Sequence, residues 1–166
     1  MVNHRKPLAN RKCFTRELRS RHYSTSHNAP RFASTPTRID RSNPNSSRYP
    51  LVESNFSDAA HQPWIHDFNV QLQHGQKVSR FRVFLKRGKA LGPNTCADTI
   101  AGDVLIMRVA ACDSTSVVNM RSTDSRVADY IFQGAVECIT KFQGPHRTRP
   151  PKELIVKRQS AFPSSP

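Results

Sequence analysis

The sequence predicts an all-β fold: a small closed barrel of five to six short strands, carrying a disordered basic N-terminal arm. Three observations lead there. Between residues 67 and 142 apolar residues recur mainly at every second position, the period of a half-buried strand. Turn-forming pairs such as His74-Gly75, Gly102-Asp103 and Asp113-Ser114 divide that text into short pieces. Residues 1–60 hold 11 Lys or Arg against 4 acids, with few apolar residues among them. The division expected is an arm over 1–60, a β unit over 61–144, and a basic Pro-rich tail over 145–166.

In the arm, Val2, Leu8, Phe14 and Leu18 are too sparse to build a core, and Pro7 interrupts an early helix. From Asn28 to Pro50 the text is largely Pro, Ser, Thr, Asn and Arg, which buries too little surface to offset the entropy of ordering. Arg21-His22-Tyr23-Ser24 has the pattern of a mitochondrial processing site, and Glu17 is the only acid before it. Residues 1–23 are therefore either a transit peptide or an arginine-rich tail.

Trp64 and Ile65 open the β unit. Asp67–Leu72 alternates, with Phe68, Val70 and Leu72 on one face. Residues 79–87 alternate again. Phe81, Val83 and Leu85 face one way; Arg80, Arg82, Phe84 and Lys86 face the other. An aromatic set between cations on the face away from the main core suits a nucleic acid, whose bases stack while its phosphates seek positive charge. The bland alternative is that Phe84 covers a second small core.

The basic loop 87–94 has two glycines and a proline, but not the spacing of a phosphate-binding P-loop. Gly102-Asp103 turns into Val104–Ala111, apolar on both faces apart from Arg108, as in a central strand. Arg108 meets either a ligand or an acid such as Asp113. Val117–Arg121 is a short strand and 122–126 a polar loop. Ala128–Phe132 and Ala135–Phe142 are the last strands. Tyr130 is either core or a stacking surface. Leu154–Val156 belongs to the tail.

The formal net charge is +14 and the pI about 10.5, an excess that calls first for a polyanion. No apolar run approaches the roughly 18 residues of a membrane span, and no secretory segment opens the chain. Cys13, Cys96, Cys112 and Cys138 form no CxxC pair, and Cys112 and Cys138 are expected as small buried hydrophobes. In a reducing interior the sequons at Asn45 and Asn55 are chance matches. His61, His66 and His74 are five and eight residues apart, which fits no ordinary zinc pattern. No nucleophile with a base, and no paired acids, indicate an enzyme.

The order AGDVLIMRV, short strand, MRSTDS, YIF resembles the single-strand-binding OB domain of protection-of-telomeres proteins and the ciliate telomere-end-binding protein. Gly102, Asp103, Val104, Leu105, Arg108 and Val109 match its first motif, Ser122–Ser125 its loop, and Tyr130–Phe132 its last strand. Ala111–Val117 stands where that family has a segment rich in Phe, Lys and Arg. The resemblance implies an OB-like barrel, single-stranded nucleic acid as ligand (telomeric DNA in that family), and the nucleus as location. The mitochondrion is the alternative if 1–23 is a transit peptide.

The interface expected from residues and resemblance together comprises Arg80, Arg82, Phe84, Lys86, Arg87, Lys89, Arg108, Arg121 and Tyr130. Single-stranded DNA or RNA is the expected partner, with a protein partner as a further option. No cofactor, metal, membrane or small-molecule substrate is expected. Two rivals share the basic arm before a β unit: a small viral capsid or nucleocapsid protein that packages RNA, and a mitochondrial ribosomal RNA-binding protein.

Overall fold

Ten strands and one α-helix form among the described residues of the computed structural model, which are 14–39, 49–56, 65–74, 76–86, 91–111, 116–143 and 152–157. In chain order the strands are β1 Phe14–Tyr23, β2 Arg31–Ile39, β3 Tyr49–Pro50, β4 Ile65–His74, β5 Lys77–Lys86, β6 Pro93–Asn94, β7 Ala97–Ala101, β8 Val104–Val109, β9 Val117–Val118 and β10 Glu153–Lys157. The helix, α1, spans Ser125–Gln143. The main sheet runs β10-β4-β5-β8-β1-β2-β3, and β9 pairs with β8 next to the stretch of β8 that pairs with Arg21–Tyr23 of β1. β6 and β7 form a separate ribbon. The mostly-β expectation holds, but the sheet is open, with β10 and β3 at its edges, and is not closed into a barrel.

β8 sits near the middle because its sequence is apolar on both sides. Val104, Leu105, Ile106 and Met107 are all fully buried. On one face Val104 and Ile106 join Phe81, Val83, Leu85, Phe68, Val70 and Leu72 beneath α1. On the other face Leu105 and Met107 join Phe84, Leu18 and Val117, covered by Val52 and Phe56 from the turn after β3. The alternation expected for β4 and β5 is therefore correct in register, with Phe68 opposite Val83 and Val70 opposite Phe81.

Residues 125–143 are helical, where two strands were expected. Ala128, Ile131, Phe132, Ala135, Ile139 and Phe142 are its buried residues, at steps of three, one, three, four and three. That is the stripe of an amphipathic helix, and a period of two fitted part of the same text. Gly134 lies where α1 meets β10; a Cβ there would come 3.1 Å from Val156 Cγ1.

The expected arm also departs from the structure. Residues 14–39 form a hairpin whose first strand lies against β8. The face of β1 toward the second core carries Leu18, Ser20 and His22, all buried. Its hydroxyls are satisfied across the hairpin: Ser20 Oγ donates to Ala33 O at 3.1 Å and lies 2.9 Å from Thr35 Oγ1. Thr37 Oγ1 donates to Arg16 O at 2.7 Å. Polar groups buried with partners cost little, so the hairpin orders without an apolar stripe. The tail expectation is corrected likewise, since β10 pairs in parallel with β4 and buries part of Leu154 and Val156.

The Gly102-Asp103 turn anchors the loop between β1 and β2. Gly102 has φ +78°, a backbone conformation that strains residues with a Cβ, so glycine is favoured there. Asp103 is buried and its Oδ1 accepts from Thr25 N at 2.7 Å. Asn94 Nδ2 donates to Gly102 O at 2.8 Å and Tyr23 O at 3.0 Å, which joins the ribbon to the same loop.

Candidate nucleic-acid interface

The face of β5 that was expected to meet bases is a core. Phe84 is 0% exposed and packs with Leu105, Met107 and Phe56, so it cannot stack on a ligand. Arg82 Nε and Nη2 both reach Asp67 Oδ2, at 2.6 and 2.5 Å, and its guanidinium lies 5.6 Å from the Phe84 ring. Lys86 is buried, with Nζ 5.3 Å from the centre of the Phe56 ring. Alternation placed these residues on one side correctly. It did not show that residues 51–56 fold back over that side.

Arg87 and Lys89 lie outside the described residues, as does Asp113. Arg108 does pair with an acid, Asp124, at 3.2 Å. Tyr130 lies on α1 and is 38% exposed, while Phe132 is buried, so the helix sends the two to different sides. Tyr130 takes no part in the cleft described next.

Three of the expected residues do converge. Arg80, Arg108 and Arg121 line one cleft of about 740 Å³, together with Lys77, Asn119, Ala110 and Ala111. The cleft opens where β5, β8 and β9 end together. β8 pairs with β5 through Phe81–Arg108 and with β9 through Arg108–Val118, which sets Arg108 between them. Asp124 holds Arg121 near the mouth, because its Oδ2 accepts from Arg121 N at 2.8 Å while its own N donates to Arg121 O at 2.9 Å. Arg80 Nη1 lies 3.5 Å from Ala111 O. Lys77 escaped the sequence reading, which began that strand at residue 79, whereas β5 starts at Lys77.

Arg108 is neutralised by Asp124, whereas no acid among the described residues pairs with Lys77, Arg80 or Arg121. Cations gathered in one concavity raise the local positive potential, and low-dielectric walls focus it. Backbone carbonyls and guanidinium groups can hold phosphate oxygens and sugar hydroxyls here.

The remaining polar contacts are structural. Tyr23 is buried, stacks on Phe132 at 3.9 Å, and donates to Asp129 Oδ1 at 2.8 Å. Burial, and then that bond, push its hydroxyl far above the usual tyrosine range. His66 meets the Phe142 ring edge-on at 4.8 Å. Burial raises the thiol of Cys138 on α1.

No family model, curated protein or solved structure matches this chain. Tyr130–Phe132, taken as a strand in the telomeric resemblance, is helical.

Proposed function

We propose that the protein binds single-stranded nucleic acid through the cleft of Lys77, Arg80, Arg108 and Arg121. The observation that carries this is the convergence of four cations from three chain segments, three of them without an acid partner among the described residues, on a protein with a net charge of +14. Phosphates provide the complementary charge. Telomeric-type DNA, implied by the resemblance, is one ligand within this proposal. A nuclear location belongs to the same proposal.

Fluorescence anisotropy with labelled 20-residue single-stranded DNA, single-stranded RNA, duplex and a G-rich telomeric-type repeat tests the proposal. Three or four phosphate contacts predict an affinity loss of about 20–50-fold between 50 and 200 mM salt for single strands. The triple variant Lys77→Ala, Arg80→Ala, Arg121→Ala should bind at least about tenfold more weakly and show a shallower salt slope. Unchanged binding by that variant, or affinity indifferent to salt, excludes the cleft.

A further inference from the structure

The aromatic flanked by cations, sought on β5, is found on the β1–β2 hairpin. Phe32 lies on β2 opposite Arg21, and its ring centre is 4.1 Å from the Arg19 guanidinium carbon and 5.2 Å from that of Arg21. The two arginines are not equivalent. Arg21 is committed to Asp129 and its side chain is only 14% exposed. Arg19 is exposed, and no acid among the described residues pairs with it. Phe32 is half-buried and packs against the main core, so it does not move with its cation.

Arg19 is also joined to the cleft. Its N donates to Asn119 Oδ1 at 2.7 Å and its O accepts from Met120 N at 3.2 Å, and both Asn119 and Met120 line the cleft wall. Arg21 pairs with Ile106 in the register of β1 and β8. Arg19 is two residues before Arg21 and Arg108 two after Ile106, so both lie toward the same end and on the same face of the sheet. The chain after β9 fills the space between them.

From this arrangement, and resting on the cleft reading, we infer that the Arg19 guanidinium seated on Phe32 is a stacking platform for one base of the strand whose phosphates occupy the cleft. A guanidinium is planar and weakly hydrated, and unpaired bases stack on such planes as they do on aromatic rings. The ring beneath limits the rotamers of Arg19, so less freedom is lost when a base settles on it. Lysine could supply the charge at this position but not the plane.

The test compares a thymidine 20-mer with an abasic strand of equal length, each measured against the wild type, Arg19→Lys, Phe32→Leu and the triple cleft variant. One stacked base should make the wild type favour the thymidine strand by about five- to a hundredfold. Arg19→Lys should bring that preference close to one and leave abasic affinity unchanged. Phe32→Leu, which keeps an apolar side chain against the core, should do the same. The cleft variant should weaken both ligands by a similar factor. If Arg19→Lys keeps the full preference, or the wild type has none, while the cleft variant still weakens both, the platform is overturned and the cleft stands. If neither strand binds the wild type, both proposals fall.

Discussion

Arg21 and Asp129 meet through two hydrogen bonds of 3.0 Å, from Nε to Oδ1 and from Nη2 to Oδ2. The same carboxylate accepts the Tyr23 hydroxyl at 2.8 Å. One helical acid thereby holds two side chains of β1 and fixes α1 over the sheet. Against the opposing effect of burial, the Asp129 contact raises the guanidinium of Arg21 further above its ordinary value. Removing the acid leaves a mostly buried cation and a buried hydroxyl without their acceptor. Asp129→Ala should destabilise the fold by about 2–3 kcal/mol in urea unfolding, less than the 3–5 kcal/mol of fully buried pairs because Asp129 is 40% exposed. Nucleic-acid affinity of the folded fraction should be unaltered.

Tyr23 makes stability depend on alkaline pH. Its hydroxyl stays neutral in the folded protein at pH values where the unfolded chain ionises. Stability is therefore intact below about pH 10, the ordinary tyrosine value, and is lost as pH rises beyond it, by about 1.4 kcal/mol per unit for this one proton. Tyr23→Phe should cost about 1–2 kcal/mol at pH 7 through the lost hydrogen bond. The gap in Tm between wild type and variant should narrow between pH 9 and 11; a constant gap would refute the linkage.

β1 is a strand of the main sheet, so its removal should unfold the protein. A chain beginning at Ser24 loses Leu18 and Tyr23 from the two cores and strips β8 and β2 of a shared neighbour. That chain should show no cooperative thermal transition, as read by near-ultraviolet circular dichroism. Cooperative melting near the Tm of the whole chain would show that residues 1–23 are removable, as a transit peptide requires.

Phe84 tests the second core against the expected stacking role. Phe84→Ala should lose about 3–5 kcal/mol of stability, because a large ring leaves a cavity between Leu105, Met107 and Phe56. Phe84→Leu should lose less and bind oligonucleotides like the wild type at a temperature where both are folded. A selective loss of binding by the leucine variant would return Phe84 to the interface.

Two alanine substitutions on one strand separate the two cation roles on β5. Arg82→Ala should lower stability by up to about 1 kcal/mol, since its partly exposed pair with Asp67 is screened, and should leave oligonucleotide affinity within twofold. Arg80→Ala should do the reverse, weakening binding with little change in Tm. Equal effects of the two on affinity would contradict the division of the strand into cleft and ion pair.

Several features were legible in the residues alone. The two-sided apolar text of Val104–Val109 made it a central strand, and alternation placed Phe81, Val83 and Leu85 on one side of β5. The charge balance made a polyanion the first partner to consider, and Arg108 was set to meet either an acid or a ligand. These are local properties: each depends on the spacing of side chains along one short segment or on a sum over the chain.

Only the tertiary structure decided the rest. The β1–β2 hairpin was hidden because its inward side is built from Ser20, Thr35 and Thr37, whose hydroxyls find partners across the strands, so no apolar period marks it. Ala128–Phe142 fits both periods, and a large apolar face of the sheet selects the helix that covers it. Phe84 was turned from ligand surface to core by Val52 and Phe56, which are distant in sequence. The cleft likewise exists only where β5, β8 and the chain after β9 come together, because spacing along a strand specifies which side a residue takes and says nothing of what arrives from elsewhere to cover it.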